Sequence, residues 1–188
     1  MKRVLVIGSG GAGKTTFARE VAARTGLPLV HLDALYWRPG WIATAPQEWT
    51  RIVAKTVRGD AWVMDGNYGG TLPLRLAACD TVVFLDTPRM ECLWRVVRRR
   101  LSRRRTDPSP GCRERLTWEF IVWIWTYPRK RRPEILAQLR SLVPSKRVVV
   151  LRVPLDAARF LGEIDPRPSE RGDRRIASQG ASSFMKLP

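Results

Sequence analysis

The chain has 188 residues, with 34 Lys+Arg against 17 Asp+Glu and a formal net charge of +17. That length buries one good core and suggests one domain plus a tail. Three cysteines without paired spacing and a single histidine, His31, argue against a structural zinc site, and no apolar run approaches the ~20 residues of a membrane span, so a reducing cytoplasm is the expected setting.

The first element is the stretch VLVIGSGGAGKTTFARE, residues 4 to 20. Val4 to Ile7 reads as a buried strand, and Thr15 onward as a helix with Phe17, Ala18, Val21 and Ala22 on one face. Between them Gly8, Ser9, Gly10, Gly11, Ala12, Gly13, Lys14 and Thr15 match the spacing of a phosphate-binding loop, whose backbone N–H groups wrap a polyphosphate at a helix N-terminus. Lys14 is expected on the outer phosphates and the Thr15 hydroxyl on a magnesium ion bridging them, with Thr16 serving the first helical turn. ATP and Mg2+ are therefore the expected cofactors.

Gly26 is placed to cap the first helix, and LPLVHLD reads as a second strand ending at Asp33. An aromatic, proline-punctuated excursion follows, then a helix from about Pro46 to Arg58. Within the excursion Tyr36, Trp37 and Trp41 flank Arg38, a cluster suited either to stacking on a base or sugar or to plugging a small core. AWVMDGNYGG reads as a third strand ending at Asp65 and DTVVFLDTP as a fourth ending at Asp86. Arg89 to Leu101 is patterned as a helix with an apolar stripe of Met90, Leu93, Val97 and Leu101. SRRRTDPSPGC breaks it, and a second helix runs from about Arg113 to Tyr127, where Pro128 ends or kinks it. KRVVVL supplies a fifth strand, Leu155 to Ile164 a last helix, and residues 166 to 188 a tail expected to be disordered.

Strands alternating with helices imply a parallel sheet, and ligands of such sheets sit beyond the strands' carboxyl ends. Asp33, Asp65 and Asp86 then compete for two roles, holding a metal's water shell and accepting a proton from an acceptor hydroxyl, against the plainer roles of cap or turn former. His31, two residues before Asp33, would share its strand face and help to hold that hydroxyl, although alone it reads as a packing or hydrogen-bonding residue.

The layout of residues 1 to 165 resembles the adenylate-kinase-like group of phosphate-loop kinases. GSGGAGKTT looks like their ATP loop, VMDGNY like their third-strand motif, and FLDTPRMECLWRVVRRR like the strand and arginine-bearing helix leading to their lid. Within the group, HLDALYW, WVMDGNY and WIWTYPRKRRP look like the subgroup called topology modulation proteins. The resemblance implies a three-layer α/β sandwich with a five-stranded parallel sheet in the order 2-3-1-4-5 and a short arginine-rich lid at about residues 100 to 113. It further implies Asp65 near magnesium, Arg95 and Arg99 facing the ATP phosphates, and a transition-state clamp from among Arg103, Arg104 and Arg105. Where adenylate kinases continue with Phe-Pro-Arg, this chain has Asn67, Tyr68 and Gly69, and its next arginine is Arg75. That departure, with a short segment between the second and third strands, points away from AMP and toward a small acceptor held by His31, Asp33, Tyr36, Trp37, Arg38, Asn67, Tyr68 and Arg75.

The leading expectation is thus a kinase passing the ATP γ-phosphate to a nucleotide or small hydroxylated acceptor, with Lys14, Asp33, Arg95 and Arg99 catalytic. A second candidate function follows from charge. Residues 89 to 140 hold 15 Lys+Arg against 5 acids, an excess that attracts polyanions, so a nucleotide-regulated nucleic-acid-binding protein is the alternative, and an NTPase without acceptor a third.

Overall fold

The computed structural model describes residues 1–101 and 116–164. Five parallel strands form the central sheet: β1 (Arg3–Gly8), β2 (Leu29–His31), β5 (Trp62–Asp65), β6 (Thr81–Leu85) and β7 (Arg147–Leu151), with a two-stranded hairpin of β3 (Trp37–Arg38) and β4 (Ile42–Ala43) beside it. The spatial order is β2-β5-β1-β6-β7. Numbered by the sheet's own strands this is 2-3-1-4-5, as expected.

The inner strands read as continuous apolar runs because helices cover both faces of the sheet. Side chains alternate between two cores. Val4 and Val6 of β1 pack with Phe17, Val21, Val96 and Ile124 on one side, while Leu5 and Ile7 pack with Val53, Leu76, Ile135 and Leu139 on the other. The first side is built by α1 (Lys14–Thr25), α5 (Arg89–Leu101), α6 (Trp118–Lys130) and α8 (Pro154–Glu163). The second is built by α3 (Pro46–Thr56), α4 (Leu72–Ala78) and α7 (Arg132–Leu142), with Tyr127 of α6 joining it.

Three local readings are corrected. The second strand stops at His31, not Asp33, because β5 ends at Asp65 opposite it; the chain then turns into a short helix, α2 (Leu32–Tyr36), that buries Leu32. Asp33 therefore sits in the first turn of α2. The helix expected to end or kink at Pro128 runs on to Lys130. The excursion is the β3–β4 hairpin, and α4 and α7 stand where no element was anticipated. Gly26 caps α1 in the left-handed conformation, its N–H bonding the Ala22 carbonyl at 2.8 Å. The expected lid, with Arg103, Arg104 and Arg105, and the tail of 166 to 188 lie outside the described residues.

Candidate active site

Parallel strands bring all their carboxyl ends to one edge, so Gly8, His31, Asp65 and Leu85 open on the same side. The glycine loop turns there from β1 into α1. Gly11 and Gly13 hold φ of 76° and 93°, a region that disfavours side chains, and Gly13 caps the helix. Gly10 and Gly11 have a further reason to lack a Cβ, one the loop motif does not reveal. At Gly10 it would stand 2.6 Å from the Phe120 ring of α6, and at Gly11 2.3 Å from the Cys92 carbonyl of α5. The loop is clamped from outside by the two helices that flank the expected lid. Burial there pushes the Cys92 thiol up to about 11, which makes it an inert packing group.

Lys14 opens α1 and folds its ammonium back onto the loop, donating to the Ser9 carbonyl at 2.9 Å. Desolvation lowers its pKa from the ordinary lysine value; the charges of Asp33 and Asp65 oppose that fall, and the charge of Arg99 adds to it. The lysine thus shares one electrostatic neighbourhood with both aspartates and Arg99, four groups drawn from separate parts of the chain.

Two hydrogen-bonded pairs organise the aspartates. His31 and Asp65 are register partners on adjacent strands, and His31 Nδ1 lies 2.7 Å from Asp65 Oδ1, with Asp65 only 5% exposed. Asp33 accepts a hydrogen bond from the Tyr68 hydroxyl at 2.5 Å. His31 thus pairs with Asp65 and not with its sequence neighbour Asp33, because the strand that would have carried both ends between them. The Tyr68 ring packs among Tyr36 and Trp49, at centroid distances of 4.6 and 4.8 Å, and Trp37 joins through Tyr36 with Trp41 on its far side. This aromatic group is mainly a wall: Trp49 is buried and Tyr36 and Tyr68 pack against the core.

Two arginines expected at the acceptor are engaged elsewhere. Arg38 is exposed and meets both oxygens of Glu48 at 2.8 Å. Arg75 is fully buried, and its guanidinium donates to the carbonyls of Gly66 at 2.9 Å and Tyr68 at 2.6 Å, with longer bonds to Asn67 and Thr71. Burial pulls its pKa down to about 10, and the carbonyl dipoles stand in for a carboxylate partner. Arg75 therefore pins the loop that carries Asn67 and Tyr68. Replacing it with methionine strands those carbonyls in the core, and we expect a loss of about 3 kcal/mol, or roughly 6–12 °C in Tm, read by thermal denaturation.

Arg95 donates to the Ala12 carbonyl at 3.2 Å and pairs with Glu91 one turn earlier. With Ala12, Gly13, Thr16 and Pro154 these two side chains line a cleft of about 390 Å³ on the outer side of the loop. Thr15 and Thr16 begin α1 just beyond Lys14.

Asp86, the third strand-end aspartate, is taken by Arg132, whose Nε and a terminal nitrogen reach its two oxygens at 2.7 and 2.8 Å, with Arg152 at 3.7 Å. It thereby closes a link between β6 and the start of α7. Sequence reasoning missed Arg132: it stands in the stretch WIWTYPRKRRP, but nothing local distinguishes it from Arg129, Lys130 and Arg131.

Among the described residues no group of three or more His, Cys, Asp or Glu side chains could cage a metal. Among the described residues the loop end offers the Thr15 hydroxyl at the start of α1, and the sheet edge the buried Asp65 carboxylate. That donor set fits a magnesium ion whose remaining oxygens come from nucleotide phosphates and water, and does not fit a metal held by protein alone.

No protein-family model matches the chain, and no curated protein is similar to it in sequence. Solved structures do resemble it. A shikimate kinase from Acinetobacter baumannii, in complex with shikimate, superposes with a TM-score of 0.57 at 18% identity, covering 96% of each chain. A shikimate kinase from Bacteroides thetaiotaomicron gives 0.54 at 14% identity, over 94% of this chain and 98% of that one. The likeness is one of fold, a five-stranded parallel sheet with helices on both faces. Identities this low establish fold and leave the substrate open.

Proposed function

We propose that the protein is an ATP-dependent kinase that transfers the γ-phosphate to a hydroxyl of a small metabolite. The observation that carries this reading is that the Lys14 ammonium, folded onto the glycine loop, feels the charges of both Asp33 and Asp65. Phosphoryl transfer needs little more than positioning and charge, and these groups supply both.

In this reading the glycine loop and Lys14 hold the polyphosphate. The nucleoside lies in the cleft beside Ala12 and Thr16, with Arg95 along one wall. Asp33, at the opening of α2, accepts the proton of the acceptor hydroxyl, and Tyr68 keeps that carboxylate oriented. Magnesium, when bound with ATP, would neutralise charge on the phosphates, and Thr15 and Asp65 would hold it. His31 anchors Asp65. Arg99 adds positive charge near the Lys14 ammonium.

The test is ATP consumption by the full chain with magnesium against a panel of nucleoside monophosphates, nucleosides, polyols and hydroxy acids, with products resolved by mass. An acceptor-dependent phosphorylated product is expected among the small metabolites. ATP binding with no transfer to any member of the panel would count against the kinase reading and return weight to a nucleotide-regulated switch.

A further inference from the structure

The two helices that clamp the glycine loop also carry apolar side chains on their outer faces. On α5, Met90, Trp94, Val97 and Leu101 recur at helical spacing within a narrow arc, and Leu101 is 78% and Met90 63% exposed. On α6, Trp118, Val122 and Trp125 repeat the pattern, with Trp118 73% exposed. α5 and α6 pack on one another, and Arg89 reaches across to lie over the Trp125 ring at 4.0 Å, so the two stripes belong to adjoining elements. Arginines border them: Arg98 covers the Trp94 ring at 5.0 Å, Arg100 is exposed on the last turn of α5, and Arg129 and Lys130 are exposed at the end of α6.

The occupant is selected by charge and by the kind of apolar group. A second copy meeting the same face would bring arginine against arginine in a chain of net charge +17. Nucleic acid would match the charge and stack on the tryptophans, but Met90, Val97, Leu101 and Val122 offer nothing to a base or a phosphate. An anionic bilayer surface suits the apolar side chains and the bordering arginines together, with Glu119 in the first turn of α6 the one opposing charge among the described residues of that helix. Aliphatic side chains enter the acyl boundary, tryptophans favour the headgroup level, and arginines meet anionic headgroups. Helix α5, strongly amphipathic and arginine-rich, has the signature of a helix that lies in the interface plane. Among the described residues no helix is long and apolar enough to cross a membrane, so the contact is peripheral.

We propose that the outer face of α5 and α6 docks the protein on anionic lipid surfaces, through Trp94, Leu101 and Trp118 together with the bordering arginines. The proposal stands independently of the kinase reading.

The experiment is co-sedimentation of the full chain with vesicles of phosphatidylcholine alone or with about one third phosphatidylglycerol, combined with quenching of tryptophan emission by brominated lipid. Binding and quenching are expected only with the anionic vesicles. The triple substitution Trp94→Ser, Leu101→Ser, Trp118→Ser is expected to weaken binding about tenfold or more at unchanged circular dichroism. Arg98→Gln with Arg100→Gln should weaken it too and flatten its dependence on salt. Absence of binding to anionic vesicles would overturn the proposal. So would binding that the triple variant retains, or a dimer or a DNA complex that the triple substitution abolishes while vesicle binding persists.

Discussion

Replacing Lys14 with alanine is expected to lower phosphoryl transfer by about a thousandfold or more while leaving the fold intact. The ammonium is the cation that balances Asp33 and Asp65 at the sheet edge, and without it an incoming polyphosphate meets two carboxylates with less opposing charge. Little structure depends on it. Its one hydrogen bond within the loop runs to the Ser9 carbonyl, and alanine is at least as good a helix former at the first position of α1. Because desolvation already disfavours the charged lysine, the variant's Tm should be unchanged or slightly higher. Steady-state turnover, ATP titration calorimetry and a melting curve on one preparation separate these effects. Full activity in this variant would contradict the placement of the phosphates on the loop.

The second large effect is expected from Asp33→Asn. If the Asp33 carboxylate accepts the acceptor's proton, its loss should reduce kcat by about 10²- to 10⁴-fold with ATP affinity preserved, since Asn keeps the size and the capacity to accept from Tyr68 but not the basicity. Tyr68→Phe removes only the donor that orients the carboxylate, so a smaller fall, about tenfold, is expected. The pair distinguishes chemistry from positioning: Asp33→Asn should lose most of kcat with KM for ATP unchanged, whereas Tyr68→Phe should keep about a tenth of kcat. Transfer at the parent rate in Asp33→Asn would remove Asp33 from the mechanism and leave the buried Asp65–His31 pair as the remaining source of a base.

The part of this protein legible from residues alone was the part built from neighbours in the chain. An apolar run, a glycine-rich loop with the right spacing and an amphipathic helix need only about twenty consecutive residues to be recognised, so β1, the loop and α1 read directly. The sheet order followed from resemblance and is matched by the strand pairing. Strand ends were less legible. The extended pattern of LPLVHLD gives no hint that pairing runs out at His31, because that depends on where β5 ends opposite it.

The composition of the site escaped the sequence for the same reason. His31 is two residues from Asp33 in the chain, yet parallel register sets it beside Asp65, 34 positions away. Arg75 stood among the candidate acceptor residues, and α4 turns it inward to bind the carbonyls of the preceding loop. Asp86 and Arg132 find each other across 46 positions, and no local pattern marks either. Gly10 and Gly11 show both kinds of information at one place: their spacing announces a phosphate loop, while their contacts with Phe120 and Cys92 exist only once α5 and α6 have packed. Sequence by itself determined the glycine loop and the strand and helix that it joins, since that pattern is local. Only tertiary structure decided which carboxylate meets which partner, because register, strand termination and helix packing are properties of elements far apart in the chain.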